Sequence, residues 1–379
     1  MALTIVLTIT GLVAVYSASF VIGLADFGDS NHFIVRQAVW AAFGALLLVA
    51  AAKTDYRKYR RLAVPIMGAT ILMLIAVLVV GIDGGGARRW LGQGELSIQP
   101  AEFAKLTVIV YLSAWLCGKG DSIRSFEDGL MPFVIIIGLV GALIMLEPNL
   151  GTTLIILMIT VTMFWVAGAS VLQMGALFAA GFVAMALLAT MAGYRADRLT
   201  TFFNASADPL GHGFQTLQTL IAMGNGGVTG LGLGASRAKF FYIPESHTDG
   251  VFAIIGEEMG LVAASAVLLL YMTLMVRGFQ IARRSRDEFG RLIATGITTW
   301  ISVQALLNIG GITRVIPLTG VPLPFLSYGG SSLAAVMLAV GVLISISRYG
   351  EDRGGYAPPG DRGPSGGNAD SRRIVRRVH

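Results

Sequence analysis

Residues 241–276 read "FYIPESHTDGVFAIIGEEMGLVAASAVLLLYMTLMV". From Val251 to Val276 the run is apolar or weakly polar apart from Glu257 and Glu258. A membrane span needs about 20 mostly apolar residues, so this stretch reads as a membrane helix. Asp249 stands just before it, where a polar loop ends. A carboxylate in that place has two readings. It caps the helix, because Asp is a favoured N-cap, or it faces a pocket as a general base. Position alone leaves both open.

The rest of the chain extends the membrane reading. Of 379 residues, 55% are hydrophobic and only 13% charged, and mean hydropathy is +0.72. Soluble domains carry roughly 25% charged residues. The expected fold is an all-α polytopic membrane protein with about ten transmembrane helices. The windows lie near 2–25, 33–52, 62–82, 101–118, 129–147, 151–167, 171–193, 250–276, 292–313 and 325–347. A long extracytoplasmic loop, 194–249, joins spans seven and eight. Around "EPNLG" (147–151) the pattern fits a tight turn between two spans or a break within one. The first segment reads as a retained span with no cleavage site, and its lack of a basic flank points to a true start upstream.

Lys and Arg set the orientation. The loops "KTDYRKYRR" (53–61) and "RGFQIARRSRDEFGR" (277–291), and the tail ending "RRIVRRVH", fall on one side if there are ten spans. That side is the cytoplasm, with both termini inside. The net charge of +6 follows from this topology, helped by anionic membrane lipids, and gives no support to nucleic-acid binding. Residues 1–350 form one membrane domain. The Gly-, Pro- and charge-rich segment 351–379 reads as a disordered cytoplasmic tail. The lone Cys117 excludes an intrachain disulfide, and the four His residues show no paired metal-ligand spacing.

Polar residues in an apolar chain mark candidate sites, because charge at membrane depth is costly and faces a cavity or a partner. In "GGGARRWLGQGELSIQPAEFAK" (84–105), Arg88 and Arg89 either bind phosphate through their planar forks or snorkel beside Trp90. Glu102 and Lys105 share a helix face; they neutralise each other, or Lys105 meets an anionic head group. In the long loop, "FQTLQTLIAMG" fits a short amphipathic helix. The glycines of "GNGGVTGLGLG" have phosphate-loop-like spacings, but no strand precedes them, and a dinucleotide site is rejected. In "PLPFLSYGGSSL" (322–333), Ser327, Tyr328, Ser331 and Ser332 hydrogen-bond a sugar or head group, or the serines let helices pack closely.

Together these motifs resemble the shape, elongation, division and sporulation family, the FtsW, RodA and SpoVE proteins. The residues that carry the resemblance are "GLVAVYSAS" (11–19), "GARRWLGQGELSIQPAEFAK" (86–105), "EPNLGT" (147–152), "ADPLGHGFQ" (207–215), "YIPESHTD" (242–249), "IGEEMGL" (255–261) and "PLPFLSYGGSSL" (322–333). "GARRW" and "GLGASRAKFFYIPE" are more similar to FtsW than to RodA. The resemblance implies a peptidoglycan glycosyltransferase that polymerises lipid II at the outer face of the bacterial cytoplasmic membrane. It implies as partner a class B penicillin-binding protein, the transpeptidase, among other division or elongation proteins. It places Asp249 on the family's catalytic acidic residue, Lys105 on a functionally sensitive lysine, and Glu257 and Glu258 on an acidic pair. Three positions depart from the family pattern: Gly250 for Phe, Asn149 for Asp, and Arg314 for a small residue.

The chemistry expected is inversion at the anomeric carbon, with Asp249 as base. Arg88, Arg89 and Lys105 are the candidate anchors of the departing pyrophosphate, and Arg195 and Arg198 are weaker ones. Glu257, Ser327 and Tyr328 are further substrate-binding candidates. No cofactor is called for with certainty; a divalent cation, Mg or Mn, could share the phosphate role, but the sequence shows no site. The rival expectations are a lipid II flippase, a non-catalytic division scaffold and, more remotely, a polyprenyl-linked sugar ligase of another family.

Overall fold

The computed structural model describes residues 1–84, 87–92, 97–191, 202, 212–240, 243 and 245–351. Each of the ten windows falls on a helix. These are α1 (Ala2–Phe27), α2 (His32–Lys53), α3 (Lys58–Val80), α4 (Pro100–Leu116), α5 (Met131–Leu146), α6 (Leu150–Val166) and α7 (Val171–Met191). After α8 (His212–Gly226) come α9 (Val251–Arg284), α10 (Glu288–Ile312) and α11 (Gly330–Glu351). Among the described residues, seven helical segments are long and apolar enough to cross a membrane: α1, α2, α3, α9, α10, α11 and the segment Phe126–Leu146 that contains α5. The chain is therefore a multi-pass membrane protein. α6 is shorter, and α4 carries Glu102 and Lys105 within its first two turns.

Burial separates the helices into two sets. α10 and α11 are 78% and 72% buried over their apolar windows, whereas α1, α2, α3 and α9 are 22–33% buried. The first pair forms the centre, and the others turn apolar faces outward. The centre is not wholly apolar. Thr295, Thr298, Gln304 and Asn308 of α10 are buried there, and lipid offers such groups no hydrogen bonds. They must find partners inside the bundle.

Local sequence explains the helix ends. Pro100 occupies the first turn of α4, where its missing N–H costs nothing. Asp287 caps α10 by accepting from Gly290 N at 2.9 Å. The "EPNLG" segment is a turn between α5 and α6: Asn149 Oδ1 accepts from Thr152 N at 3.2 Å and caps α6. Asn and Asp cap almost equally well, so the departure from the family's Asp keeps this function. The last window starts five residues late, at Gly330 rather than 325. Pro322 and Pro324 keep the preceding backbone out of the helix, and Leu323 N is taken by the Ser327 hydroxyl at 2.8 Å.

One element lies outside the sequence expectations. β1 (Ile82–Gly84) and β2 (Ala87–Trp90) form an antiparallel hairpin after α3, with Ile82 opposite Trp90. The run of glycines in the sequence from Gly84 was the available signal.

Candidate active site

Asp249 does not occupy the cap of α9. Gly250 does, in the right-handed helical region at φ −85°, and its carbonyl accepts from Ala253 N at 3.0 Å. The Asp249 carboxylate instead receives Gln215 Nε2 of α8 at 3.3 Å. Its backbone carbonyl receives Asn308 Nδ2 of α10 at 3.0 Å. Asp249 itself is half-buried. Gly250 also has a steric reason: a Cβ there would stand 3.0–3.1 Å from Ile243 and Ser246, so glycine lets the loop close tightly on the start of α9.

Two motifs far apart in sequence meet along the backbone of the loop that carries Asp249. Asn308 Nδ2 also donates to Val321 O at 2.8 Å, and Tyr328 N donates to His247 O at 2.8 Å. The rings of Phe33, His247 and Tyr328 form one cluster with centroids 4.7–5.4 Å apart. Gln37 of α2 clamps the same loop, giving Nε2 to Ser327 O and accepting from Gly329 N, both at 3.2 Å. The Ser327 hydroxyl is thus committed to shaping the loop, and Tyr328 presents its ring beside His247. Burial pushes the His247 imidazole below its ordinary pKa, against the opposing pull of Glu245. Ser331 Oγ accepts from Gln99 N at 3.2 Å, tying α11 to the start of α4.

Glu257 and Glu258 are buried and act as a clasp. Glu257 accepts from the Ser236 hydroxyl and from the N–H groups of Arg237 and Ala238. Glu258 pairs with the fully buried Lys239 at 2.9 Å and accepts from Ser17 Oγ of α1 at 2.7 Å. Between these contacts α9 breaks. Gly260 takes φ 70°, and the loop after α8 docks into the gap through Leu231 N to Glu257 O and Gly232 N to Glu258 O, at 3.0 and 2.9 Å. A Cβ on Gly230, itself at φ +81°, would collide with the Glu258 carbonyl. The glycine-rich run is therefore the means by which α8, and with it Gln215, is fastened to α9. Ser17, Ser236 and Lys239 were not singled out from sequence, although "YSAS" and "SRAKFF" are polar interruptions of apolar surroundings.

Lys105 is fully buried. Its ammonium lies 2.8 Å from Glu102, 3.1 Å from Gln304 Oε1 and 4.9 Å from the Trp300 ring centroid. Lys105 is thus enclosed by protein rather than open to a head group. Arg89 spends its fork on the carbonyls of Glu147 and Pro148, at 3.0 and 2.7 Å, fastening the hairpin to the α5–α6 turn. Arg88, next to it, is exposed. Arg195 and Arg198 lie outside the described residues, as do residues 352–379 and most of "ADPLGHGFQ". No group of three or more His, Cys, Asp or Glu stands together among the described residues.

The fold and site define a class: a polytopic membrane protein with a carboxylate, bonded by Gln215, in the loop before α9, which meets the loop before α11. The family model for the cell cycle proteins FtsW, RodA and SpoVE matches residues 1–352, and the chain belongs to that family. Stage V sporulation protein E of Bacillus subtilis is 42% identical over 352 residues, covering 92% of this chain and 95% of that protein. A protein of Geobacter metallireducens named probable peptidoglycan glycosyltransferase FtsW is 35% identical over 347 residues, covering 91% and 92%. Among solved structures, a chain of a peptidoglycan synthase complex that coordinates polymerization and crosslinking superimposes with a TM-score of 0.72. It is 29% identical, and the match covers 90% of this chain and 97% of that one.

Proposed function

We propose that this protein is an inverting peptidoglycan glycosyltransferase that polymerises lipid II into β-1,4 glycan strands. The observation that carries the reading is Asp249: a half-buried residue that stands outside the helix cap, its carboxylate bonded by Gln215 and its backbone carbonyl by Asn308. Asp249 takes the proton from the acceptor sugar's 4-hydroxyl as that oxygen attacks the donor's anomeric carbon. The bond to undecaprenyl pyrophosphate breaks on the opposite side, and the configuration inverts. Arg88 is the exposed candidate to meet the departing charge, with Arg195 and Arg198 as further ones. Lys105 acts from within, as a buried positive charge paired with Glu102. Tyr328 shapes the sugar site beside Asp249.

The protein lies in the bacterial cytoplasmic membrane with ten spans, both termini inside and the Asp249 loop outside, and serves cell division or elongation. Its partner is a class B penicillin-binding protein. The densely packed centre supports chemistry at one face over passage of a head group through the bundle: Trp300, Lys105 and Gln304 fill it with no exposure.

The test is glycan polymerisation from purified lipid II by wild type and Asp249→Asn, each reconstituted with the cognate transpeptidase and matched for folding and complex formation. Polymer from the wild type and none from the variant is expected. Equal polymer from both would remove Asp249 from the chemistry.

A further inference from the structure

The face opposite the Asp249 loop carries a cavity that the reaction does not use. It lies between the C-terminal end of α9 and the end of α11, has a volume of about 180 Å³, and is lined by Arg277, Gln280, Ile281, Arg284, Ser285, Ile346 and Ser347. No carboxylate lines it. Arg277 and Arg284 are two turns apart on α9, about 10 Å along the axis, and both are exposed.

Three other arginines of this face already have partners. Arg57 faces Asp287 at 3.9 Å, and Arg291 faces Glu288 at 3.3 Å. Arg348 donates to Ala52 O at 3.5 Å. Asp287 is further occupied by Tyr56 Oη and Gly290 N. Asp287 and Glu288 are therefore paired with residues outside the cavity. Among the described residues, Arg277 contacts Gln280 Oε1 at 3.3 Å, a neutral group. Complementing the helix dipole accounts for a cation in the last turn, such as Arg284. It does not account for Arg277, two turns earlier.

We propose that this cavity binds the phosphate of an anionic lipid head group. α9 emerges from the membrane at this point, so the cavity opens at head-group level. Basic pockets between membrane helices suit such head groups. Two guanidinium forks match phosphate oxygens with paired hydrogen bonds. The Ser347 hydroxyl and Gln280 amide add neutral donors, and Ile281 and Ile346 offer apolar walls to the glycerol end of a lipid. The proposal is independent of Asp249 and of the reaction.

The experiment is lipid retention by the full chain. The protein is placed in nanodiscs of phosphatidylcholine doped with phosphatidylglycerol or cardiolipin, and bound lipid is counted by native mass spectrometry after release. Arg277→Gln/Arg284→Gln should lower retention of the anionic lipids about tenfold and leave phosphatidylcholine unchanged. Arg291→Gln/Arg348→Gln, which removes the same charge from the same face, should leave retention as in wild type. Arg284→Gln alone, at an exposed helix end, gives a smaller loss in the same direction if the double variant folds poorly. Equal losses in both double variants would mean diffuse surface charge and overturn the site. No loss in either would overturn it too. Displacement of the lipid by millimolar inorganic phosphate would replace the lipid with a soluble phosphate ligand and overturn the assignment.

Discussion

Asn308 Nδ2 stands 3.0 Å from the Asp249 carbonyl oxygen, and the same amide reaches Val321 O at 2.8 Å. One buried side chain of the central helix thus fixes the base loop and the Pro-rich loop relative to each other. Asn308→Asp keeps the shape and loses the donor. Both carbonyls then face a group that cannot donate when ionised, at a cost of about 1–3 kcal/mol. Displacing a reacting group by about 1 Å costs on the order of 100-fold in rate. The expected result is folded protein with kcat for glycan polymerisation lowered tenfold or more and KM little changed. An unaltered kcat in folded Asn308→Asp would show that the Asp249 loop is set by other contacts.

The Lys105–Glu102 pair separates two roles for the lysine. Removing one member of a buried ion pair costs about 3–5 kcal/mol, because the other charge is left uncompensated, whereas replacing both with apolar residues is often neutral. Lys105→Met and Glu102→Leu should each destabilise the protein strongly, and the double variant should recover most of the loss. Thermal melting of the four proteins in one detergent measures this. Polymerisation by the double variant then reads the chemistry alone. Restored stability with lost activity would show that the buried charge serves the reaction; restored activity would leave it a structural pair.

Much of this was legible in the sequence, and the reason differs by element. The helices could be read because apolar windows of membrane length have few alternatives in lipid. Asp249 could be noticed because a carboxylate at the lip of such a window either caps the helix or faces a pocket. Its surroundings could not be read. Gln215, Asn308 and Gln37 reach it or its neighbouring loops across gaps of tens to hundreds of residues, and no local period records such contacts. The Gly-rich run gave no local sign of its partner. Its purpose became visible only when Gly230 and Gly260 were seen to let two backbones touch. Lys105 was open between head-group contact and pairing until its burial was known.

Glu147 gives the protein a pH dependence. It lies in the turn between α5 and α6, fully buried, with neither carboxylate oxygen hydrogen-bonded. Burial pushes its pKa up from 4.5 to about 7, and Arg89 pulls the other way. A carboxyl with a raised folded-state pKa holds its proton more tightly folded than unfolded. Its contribution is therefore full below about pH 4.5 and lost as pH rises through about 7, worth on the order of 3 kcal/mol. Glu147→Gln mimics the protonated form. The variant should melt above wild type at pH 8 and level with it at pH 5. Parallel melting curves across that range would mean that Glu147 is ionised throughout.

Arg314 explains one departure from the family pattern and can be tested against it. Its φ is +56°, a left-handed conformation that costs a residue with a Cβ roughly 1–2 kcal/mol. This is the physical reason that a glycine suits the position. The side chain offsets the strain by donating from Nε and Nη2 to Phe202 O, at 3.2 and 3.0 Å. Arg314→Ala loses the bonds and keeps the strain, while Arg314→Gly loses both together. The alanine variant should therefore melt lowest, with the glycine variant above it by about 1 kcal/mol. Wild type should lie close to the glycine variant, since two partly buried hydrogen bonds to one carbonyl and the released strain are of similar size. An alanine variant as stable as the glycine variant would mean that the backbone relaxes out of the left-handed region once the arginine is gone.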